Sequence, residues 1–222
     1  MRTAVITGAN RGIGLELARQ LNDRGYRVIG VCRHASPDLN ATEVQVEDGV
    51  DVTDSGSLAD LAERLRGTRI DLLINNAGLL QSSSLEGIES EIDAWRAQFE
   101  VNSLSPVRVT SALRNHLNDG GKVIIITSRM GSIADNTSGG SYAYRMSKAA
   151  VNAAGVSLAH ELRDRDIAVG LLHPGYVRTD MTGNTGHVDA DQAASSLIER
   201  IDELNMDNTG SFRHANGEVL PW

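Results

Sequence analysis

Residues 4–15 have the sequence Ala-Val-Ile-Thr-Gly-Ala-Asn-Arg-Gly-Ile-Gly-Leu, in which a short apolar run leads into three glycines. The run predicts a buried strand, and Ile13, Leu17 and Leu21, spaced four apart, predict a helix from about residue 12 to 24. A glycine-rich turn lets the backbone approach a pyrophosphate, and the helix N-terminus offers free N–H donors. The stretch therefore predicts a dinucleotide-binding turn, although by itself the pattern is also typical of an ordinary turn.

Four further apolar runs lie at residues 28–31, 72–74, 123–126 and 167–172. They lack polar alternation, which predicts parallel strands that are covered on both faces. Helical patterns alternate with them, the clearest from about 142 to 164, and alternation of this kind indicates βαβ units. We therefore predict one domain over residues 1–222, an α/β fold with a doubly wound parallel sheet in a three-layer αβα arrangement. The polar stretches 132–141 and 182–188 are predicted loops beside the ligand-binding edge of the sheet.

The composition excludes several classes of protein. The 222 residues contain 21 Lys plus Arg and 29 Asp plus Glu, for a net charge of -8, which argues against nucleic acid or an anionic membrane as a partner. Cys32 is the only cysteine and predicts a reducing compartment, so we expect a cytoplasmic protein. No apolar run reaches the ~18 residues of a membrane span. The histidines show no metal-ligand spacing with acids or with Cys32, so no metal is predicted.

The second apolar run ends at Val31-Cys32-Arg33, where an NAD-specific site would place Asp or Glu to bind the ribose 2′-hydroxyl. No acid stands there. Arg33, together with Arg11 in the first turn, is suited to charge-assisted hydrogen bonds with a 2′-phosphate. The sequence therefore favours NADP(H) over NAD(H), the alternative being that both arginines are ordinary solvated side chains.

Tyr144 and Lys148 lie one helical turn apart on a shared face of the predicted helix. A unit charge ~4 Å from a phenol is worth about 4 kcal/mol at an effective dielectric of ~20, so Lys148 is predicted to lower the pKa of Tyr144 by a unit or more. Tyr144 is then a candidate general acid or base. Ser128, at a strand end, is a candidate hydrogen-bond partner of a substrate carbonyl. The alternatives are a simple Tyr/Lys contact on a helix and a serine that caps local backbone.

The glycine turn, Asn75-Asn76-Ala77-Gly78, Asn102, Ser128, Tyr144-x-x-x-Lys148 and Pro174-Gly175 together resemble the short-chain dehydrogenase/reductase family in order and placement over nearly the whole chain. Residues 135–140 and 217–222 resemble its C-factor and sniffer-type carbonyl reductase branch. The resemblance implies a Rossmann-type domain with a seven-stranded parallel sheet. It also implies hydride exchange between NAD(P)(H) and a carbonyl or alcohol.

The resemblance also assigns expected roles. Tyr144 is expected to be the acid/base, Lys148 to tune it and hold the nicotinamide ribose, Ser128 to orient the carbonyl, and Asn102 to position a relay water. Without the motif, Asn102 would be simply a polar residue on a long helix. The expected cofactor-binding residues are Gly8, Asn10, Arg11, Gly12, Ile13, Gly14, Arg33, Asp51, Val52, Asn75, Ala77, Gly78, Tyr144, Lys148, Pro174, Val177 and Thr179. A homodimer or homotetramer is expected, formed through helices around 91–117 and 142–164.

The leading hypothesis is an NADPH-dependent carbonyl reductase acting on a small-molecule ketone or aldehyde. The alternatives are an NADP(H)-binding sensor of C-factor type with little turnover, and an epimerase or dehydratase, for which 222 residues leave little room. His173 is an alternative candidate for the catalytic base, and its own alternative is a purely structural role. Two features depart from the common family pattern: Ser128 and Tyr144 lie 16 positions apart, and the segment from Thr179 to Asp189 is short. The short segment predicts an open pocket with broad substrate use.

Overall fold

The computed structural model describes residues 1–81 and 83–222, and these contain a central sheet of seven parallel strands. The spatial order of the strands is β3-β2-β1-β4-β5-β6-β7. Their bounds are β1 (Thr3–Thr7), β2 (Arg27–Val31), β3 (Gln45–Glu47), β4 (Ile70–Asn75), β5 (Leu117–Ile126), β6 (Ala168–His173) and β7 (Phe212–His214). The doubly wound α/β fold predicted from the apolar runs is confirmed. The reversal of strand order between β1 and β4 creates the crevice in which such sheets bind ligands.

Helices cover both faces of the sheet. Their bounds are α1 (Gly12–Asp23), α2 (Pro37–Asn40), α3 (Ser55–Arg64), α4 (Ile88–Phe99), α5 (Ser105–Leu113), α6 (Tyr142–Glu161) and α7 (Ala190–Glu203), and a π-helical turn (Glu100–Leu104) joins α4 to α5. Helices α1 and α7 pack together on one face, whereas α3, α5 and α6 lie on the other. This is the predicted three-layer arrangement. No helix within residues 1–81 and 83–222 is long and apolar enough to cross a membrane.

Alternation along the strands divides the core into two apolar clusters. In β1, Ala4 and Ile6 belong to the cluster under α1 and α7, whereas Val5 belongs to the cluster under α3, α5 and α6. All three side chains are fully buried. Neighbouring strand residues point to opposite faces, so a strand covered on both faces needs a continuous apolar run. This is the physical reason that the apolar runs predicted the strands.

Helix α6 lies closely on β6 because Gly155 faces Leu171 without a side chain between them. A Cβ atom at Gly155 would lie 2.6 Å from Leu171 Cδ2 and 2.9 Å from its Cγ. Leu171 is fully buried and has no space to move into. This contact fixes the distance of α6 from the sheet, and α6 carries Tyr144 and Lys148 near its N-terminal end.

We expect Gly155→Val to lower the free energy of unfolding by about 1–3 kcal/mol, because the added methyl groups overpack the junction between α6 and β6. Urea unfolding followed by circular dichroism measures this change. The matched control is Ala153→Val, at an exposed position of the same helix. A β-branched residue costs a helix less than about 1 kcal/mol there. Equal effects of the two substitutions would contradict the packing argument.

Candidate active site

A cleft of about 940 Å³ opens at the carboxyl edge of the sheet. Its walls are the turn after β1, the segment that follows β4, the loop after β6, and the N-terminal part of α6. The structure brings together in this cleft most of the residues predicted from the sequence. Those lining it are Gly8, Asn10, Arg11, Gly12, Ile13, Gly14, Arg33, Asp51, Val52, Ala77, Gly78, Tyr144, Lys148, Pro174 and Thr179.

The turn after β1 presents open backbone donors to the cleft. Helix α1 begins after Arg11, whose side chain makes no capping hydrogen bond. The first N–H groups of α1 therefore lack the partner that helix starts usually have. Gly8 has a φ of +68°, and a Cβ atom there would lie 2.9 Å from Ala77 Cα. A bare, glycine-lined helix start of this kind fits the pyrophosphate of a dinucleotide.

Asn76, which the sequence reasoning left out of the site, holds this turn in place. Its Nδ2 donates to the carbonyl oxygens of Thr7 at 3.0 Å and Gly8 at 3.1 Å, and it lines the cleft. Asn75, one of the expected cofactor-binding residues, is buried and donates instead to Thr110 Oγ1 at 3.2 Å. Successive residues of an extended chain point to opposite sides, so only one of the two asparagines can face the cleft. This alternation was the feature of the sequence that could have indicated that Asn75 and Asn76 do not both face the cleft.

The two arginines predicted to bind a 2′-phosphate both line the cleft. Arg33 lies two residues beyond the end of β2, and its side chain is exposed. Arg11 makes an ion pair with Asp180 at 3.4 Å, and both of these side chains are largely exposed. Asp51, across from Arg33, accepts hydrogen bonds from the Thr53 N–H and hydroxyl at 2.8 and 2.7 Å. The Thr53 hydrogen bonds lower the pKa of Asp51, and the charge of Arg33 adds to this effect.

Tyr144 and Lys148 are both buried in the wall of the cleft. Burial lowers the pKa of Lys148 to about 8, and its Nζ donates to the carbonyl oxygen of Ile126 at 3.0 Å. Burial raises the pKa of Tyr144 to about 12, against a smaller lowering by the Ser128 hydroxyl. The net pKa shift of Tyr144 is therefore upward, opposite to the net lowering expected from the sequence. The Lys148 Nζ lies 5.8 Å from the ring centroid, and desolvation of the phenol is the largest cause of the shift.

Asn102 and Ser128 are both buried next to residues that line the cleft, Gly78 and Tyr144 respectively. Asn102 is buried in the π-helical turn, where its Oδ1 accepts from Leu79 N, and its Nδ2 donates to Leu79 O and to Ser147 Oγ. Both N–H donors of this amide are used by the protein, which joins the segment after β4 to α6. Ser128 follows the end of β5, and its Oγ accepts from the Met130 N–H at 3.1 Å.

The loop after β6 contributes Pro174, Arg178, Thr179 and Asp180 to the cleft. Val177, also one of the expected cofactor-binding residues, is buried and pairs with Val188. His173, the rival base, packs edge-on against His214 with ring centroids 4.8 Å apart. Burial, with contributions from His214 and nearby cations, lowers the pKa of His173 to about 3. Within residues 1–81 and 83–222, no group of three or more His, Cys, Asp or Glu side chains is placed to hold a metal ion.

The fold and the cleft define the chain as a dinucleotide-binding α/β protein of the Rossmann type. The family model of short chain dehydrogenases matches residues 2–190, so the chain belongs to the short-chain dehydrogenase/reductase family of oxidoreductases. The resemblance stated from the motifs is thereby confirmed.

Similar proteins support the predicted branch of the family. The 1-hydroxy-2-glutathionyl-2-methyl-3-butene dehydrogenase of Rhodococcus sp. (strain AD45) is 42% identical over 228 residues, covering 100% of both chains. The C-signal of Myxococcus xanthus is 43% identical over 155 residues, covering 69% of this chain and 93% of that protein. The carbonyl reductase Sniffer of D. melanogaster has a TM-score of 0.92 and 27% identity, with both chains fully covered. An NADPH-bound carbonyl reductase from chicken fatty liver has a TM-score of 0.90 and 28% identity, covering 100% of this chain and 99% of that one.

The burial of Lys148 predicts a pH-dependent stability. Its pKa is about 8 in the folded chain, against ~10.4 for an unfolded one, so between pH 8 and 10 the unfolded state binds more protons. We expect the free energy of unfolding to rise with pH in this window, by up to about 1.4 kcal/mol per pH unit. In Lys148→Met most of the rise should disappear, whereas Lys122→Met should keep most of it, because burial also lowers the pKa of Lys122 but Lys148 is the more deeply buried of the two. Urea unfolding at pH 7–10 measures these slopes, and equal slopes in Lys148→Met and the parent protein would contradict the assignment.

Proposed function

We propose that the protein is an NADPH-dependent carbonyl reductase that reduces a ketone or aldehyde to an alcohol. The observation that carries this proposal is the buried Tyr144, which faces the cleft one helical turn from Lys148. Because the pKa of Tyr144 is about 12, its phenol holds its proton at neutral pH. A protonated phenol is a proton donor, and this is the role that carbonyl reduction requires.

The residues of the cleft fit a dinucleotide. The first N–H groups of α1 and the glycines of the preceding turn are suited to the pyrophosphate. Asp51 and Val52 would lie against the adenine, Ala77 and Gly78 against the adenosine ribose, and Pro174 and Thr179 at the nicotinamide end. The Lys148 ammonium would hold the nicotinamide ribose. NADPH, when bound, supplies the hydride that adds to the substrate carbon.

The protein's own residues would handle the oxygen of the substrate. Tyr144 donates its proton to the carbonyl oxygen as the carbon is reduced. Ser128 Oγ already accepts the Met130 N–H, so its own proton is free to hydrogen-bond that same oxygen and stabilise the charge developing there. Lys148, with a pKa of about 8, is mostly charged at neutral pH and stabilises the tyrosinate left behind.

We expect Tyr144→Phe to lower the rate of NADPH oxidation with carbonyl substrates by at least 10²-fold, because the variant has no proton to donate. NADPH binding, measured by fluorescence titration, should be retained. The matched control is Tyr142→Phe, since Tyr142 is half-exposed and stacks on Trp95. A native rate in Tyr144→Phe would contradict the proposed role.

The substrates for this assay should cover aldehydes, ketones, quinones and their alcohols. A relative that matches over its full length is named for a glutathionyl alcohol, so a glutathione-conjugated alcohol and the corresponding carbonyl compound belong in the panel. The C-signal relative motivates the second candidate function, a dinucleotide-binding sensor with little turnover. Tight NADPH binding without oxidation across the panel would favour the sensor.

We further propose that NADP(H) is preferred over NAD(H) because of Arg33 and Arg11. Arg33→Ala should raise the KM for NADPH about 10–100-fold and leave the KM for NADH nearly unchanged, since a hydrogen bond between charged groups contributes about 1.5–3 kcal/mol. The matched control is Arg27→Ala, at the opposite end of β2, where the guanidinium bonds Gln45 outside the cleft. Steady-state kinetics with both cofactors measures the preference. An unchanged ratio of the two KM values in Arg33→Ala would refute this basis for cofactor choice.

The expected homodimer or homotetramer stays a prediction. The helices expected to form the contact carry exposed apolar side chains, Leu104 beside α5 and Met146 on α6. Such side chains are suited to an isologous contact between copies of the chain.

A further inference from the structure

The 16-position separation of Ser128 and Tyr144 requires the intervening loop to be held against α6. After β5 the chain forms a 3₁₀ turn (Arg129–Gly131) and then continues through residues 132–141 without helix or strand. Ser128 lies at one end of this segment and Tyr144 just beyond the other. Two side chains that act on one substrate oxygen must be fixed to within a fraction of an ångström, so a loose loop would be costly.

Arg145, the residue after Tyr144, is bonded to both ends of this loop. Its Nη1 donates to the carbonyl oxygen of Met130 at 3.4 Å. Its Nε donates to those of Gly139 at 3.3 Å and Gly140 at 3.2 Å, and its Nη2 donates to Ser138 Oγ at 2.9 Å. One guanidinium on α6 therefore joins the start of the loop to its end.

The bond to Met130 leads directly to Ser128. The carbonyl of Met130 accepts from Arg145, and the N–H of the same residue donates to Ser128 Oγ at 3.1 Å. The orientation of residue 130 therefore decides whether the Ser128 oxygen has an N–H donor. With that donor in place, the Ser128 proton points away from Met130 and is available to another acceptor.

The 3₁₀ turn also touches the backbone of α6 next to Arg145. A Cβ atom at Gly131 would lie 2.7 Å from the carbonyl carbon of Lys148 and 2.9 Å from its oxygen. The turn thus lies directly on the helix, and this contact keeps the Met130 carbonyl close to the Arg145 guanidinium. On its outer side the loop is held by ion pairs from Arg129 to Asp135 and Glu218.

We propose that Arg145 is a positioning residue that sets Ser128 as a hydrogen-bond donor, acting through the Met130 peptide. Arg145 acts through Ser128 and does not itself contact the reacting atoms. The inference rests on the proposed carbonyl reduction, because it assigns Ser128 to the substrate oxygen.

A double-mutant cycle with Ser128→Ala tests this inference. Arg145→Ala should lower kcat about tenfold in the parent protein and less than about twofold in Ser128→Ala, because the hydroxyl that Arg145 positions is then absent. Ser128→Ala alone should lower kcat about 10²–10³-fold, the usual loss for one such donor, so its residual rate is read at higher enzyme concentration. The KM for NADPH should stay within about twofold throughout.

Arg145→Lys provides the conservative variant. Its ammonium keeps the charge and the alkyl stem, but it cannot bond loop carbonyls and Ser138 together. We expect a kcat between those of the parent and Arg145→Ala, and the same dependence on Ser128. If Arg145→Ala does not give a cooperative thermal transition, Arg145→Lys carries the cycle in its place. The matched control is Arg66→Ala. The Arg66 guanidinium pairs with Glu63 on α3, away from the loop, so this substitution should leave kcat unchanged.

The outcomes separate this inference from the proposed function. Equal losses from Arg145→Ala with and without Ser128, or no loss in either background, would overturn the positioning role. If Tyr144→Phe retains the native rate, it is the proposed function that fails. A coupled loss at Arg145 together with an inactive Tyr144→Phe supports both.

Discussion

The Lys148 ammonium is buried in the wall of the cleft, and the surrounding structure depends on this constraint. Removing a cation from water costs several kcal/mol unless it finds a partner, and here the carbonyl oxygen of Ile126 accepts a hydrogen bond from the Lys148 Nζ, 3.0 Å away. That bond requires α6 to lie close to the end of β5. Gly155 permits the approach on one side through its contact with Leu171, and Gly131 permits it on the other by letting the 3₁₀ turn touch the helix backbone.

The same burial divides the chemistry between two neighbouring side chains. Desolvation disfavours the charged form of each, so it lowers the pKa of Lys148 and raises that of Tyr144. At neutral pH the result is a cation beside a neutral phenol. In the proposed carbonyl reduction, Tyr144 would give a proton to the substrate oxygen and Lys148 would stabilise the anion that remains.

Much of the fold was predictable because five strands are apolar runs covered on both faces. The apolar runs did not locate strands β3 and β7, although the family resemblance implied seven strands in all. Each of the two has three residues at an edge of the sheet, and two of the three are polar: Gln45 and Glu47 in β3, and Arg213 and His214 in β7. Short half-exposed strands carry no periodicity that distinguishes them from loops. They form only because the neighbouring strand offers hydrogen bonds, and a sequence read alone does not contain that neighbour.

The sequence by itself determined the family, the positions of five of the strands along the chain, and the residue types of the cleft. These depend on local spacing and on side-chain chemistry. Only the tertiary structure decided that Asn76 faces the cleft while Asn75 is buried beneath it. It likewise decided the direction of the pKa shift at Tyr144 and joined Arg145 to Met130. Each of these depends on which groups surround a side chain and how much water they exclude, and those neighbours come from elements distant in the chain.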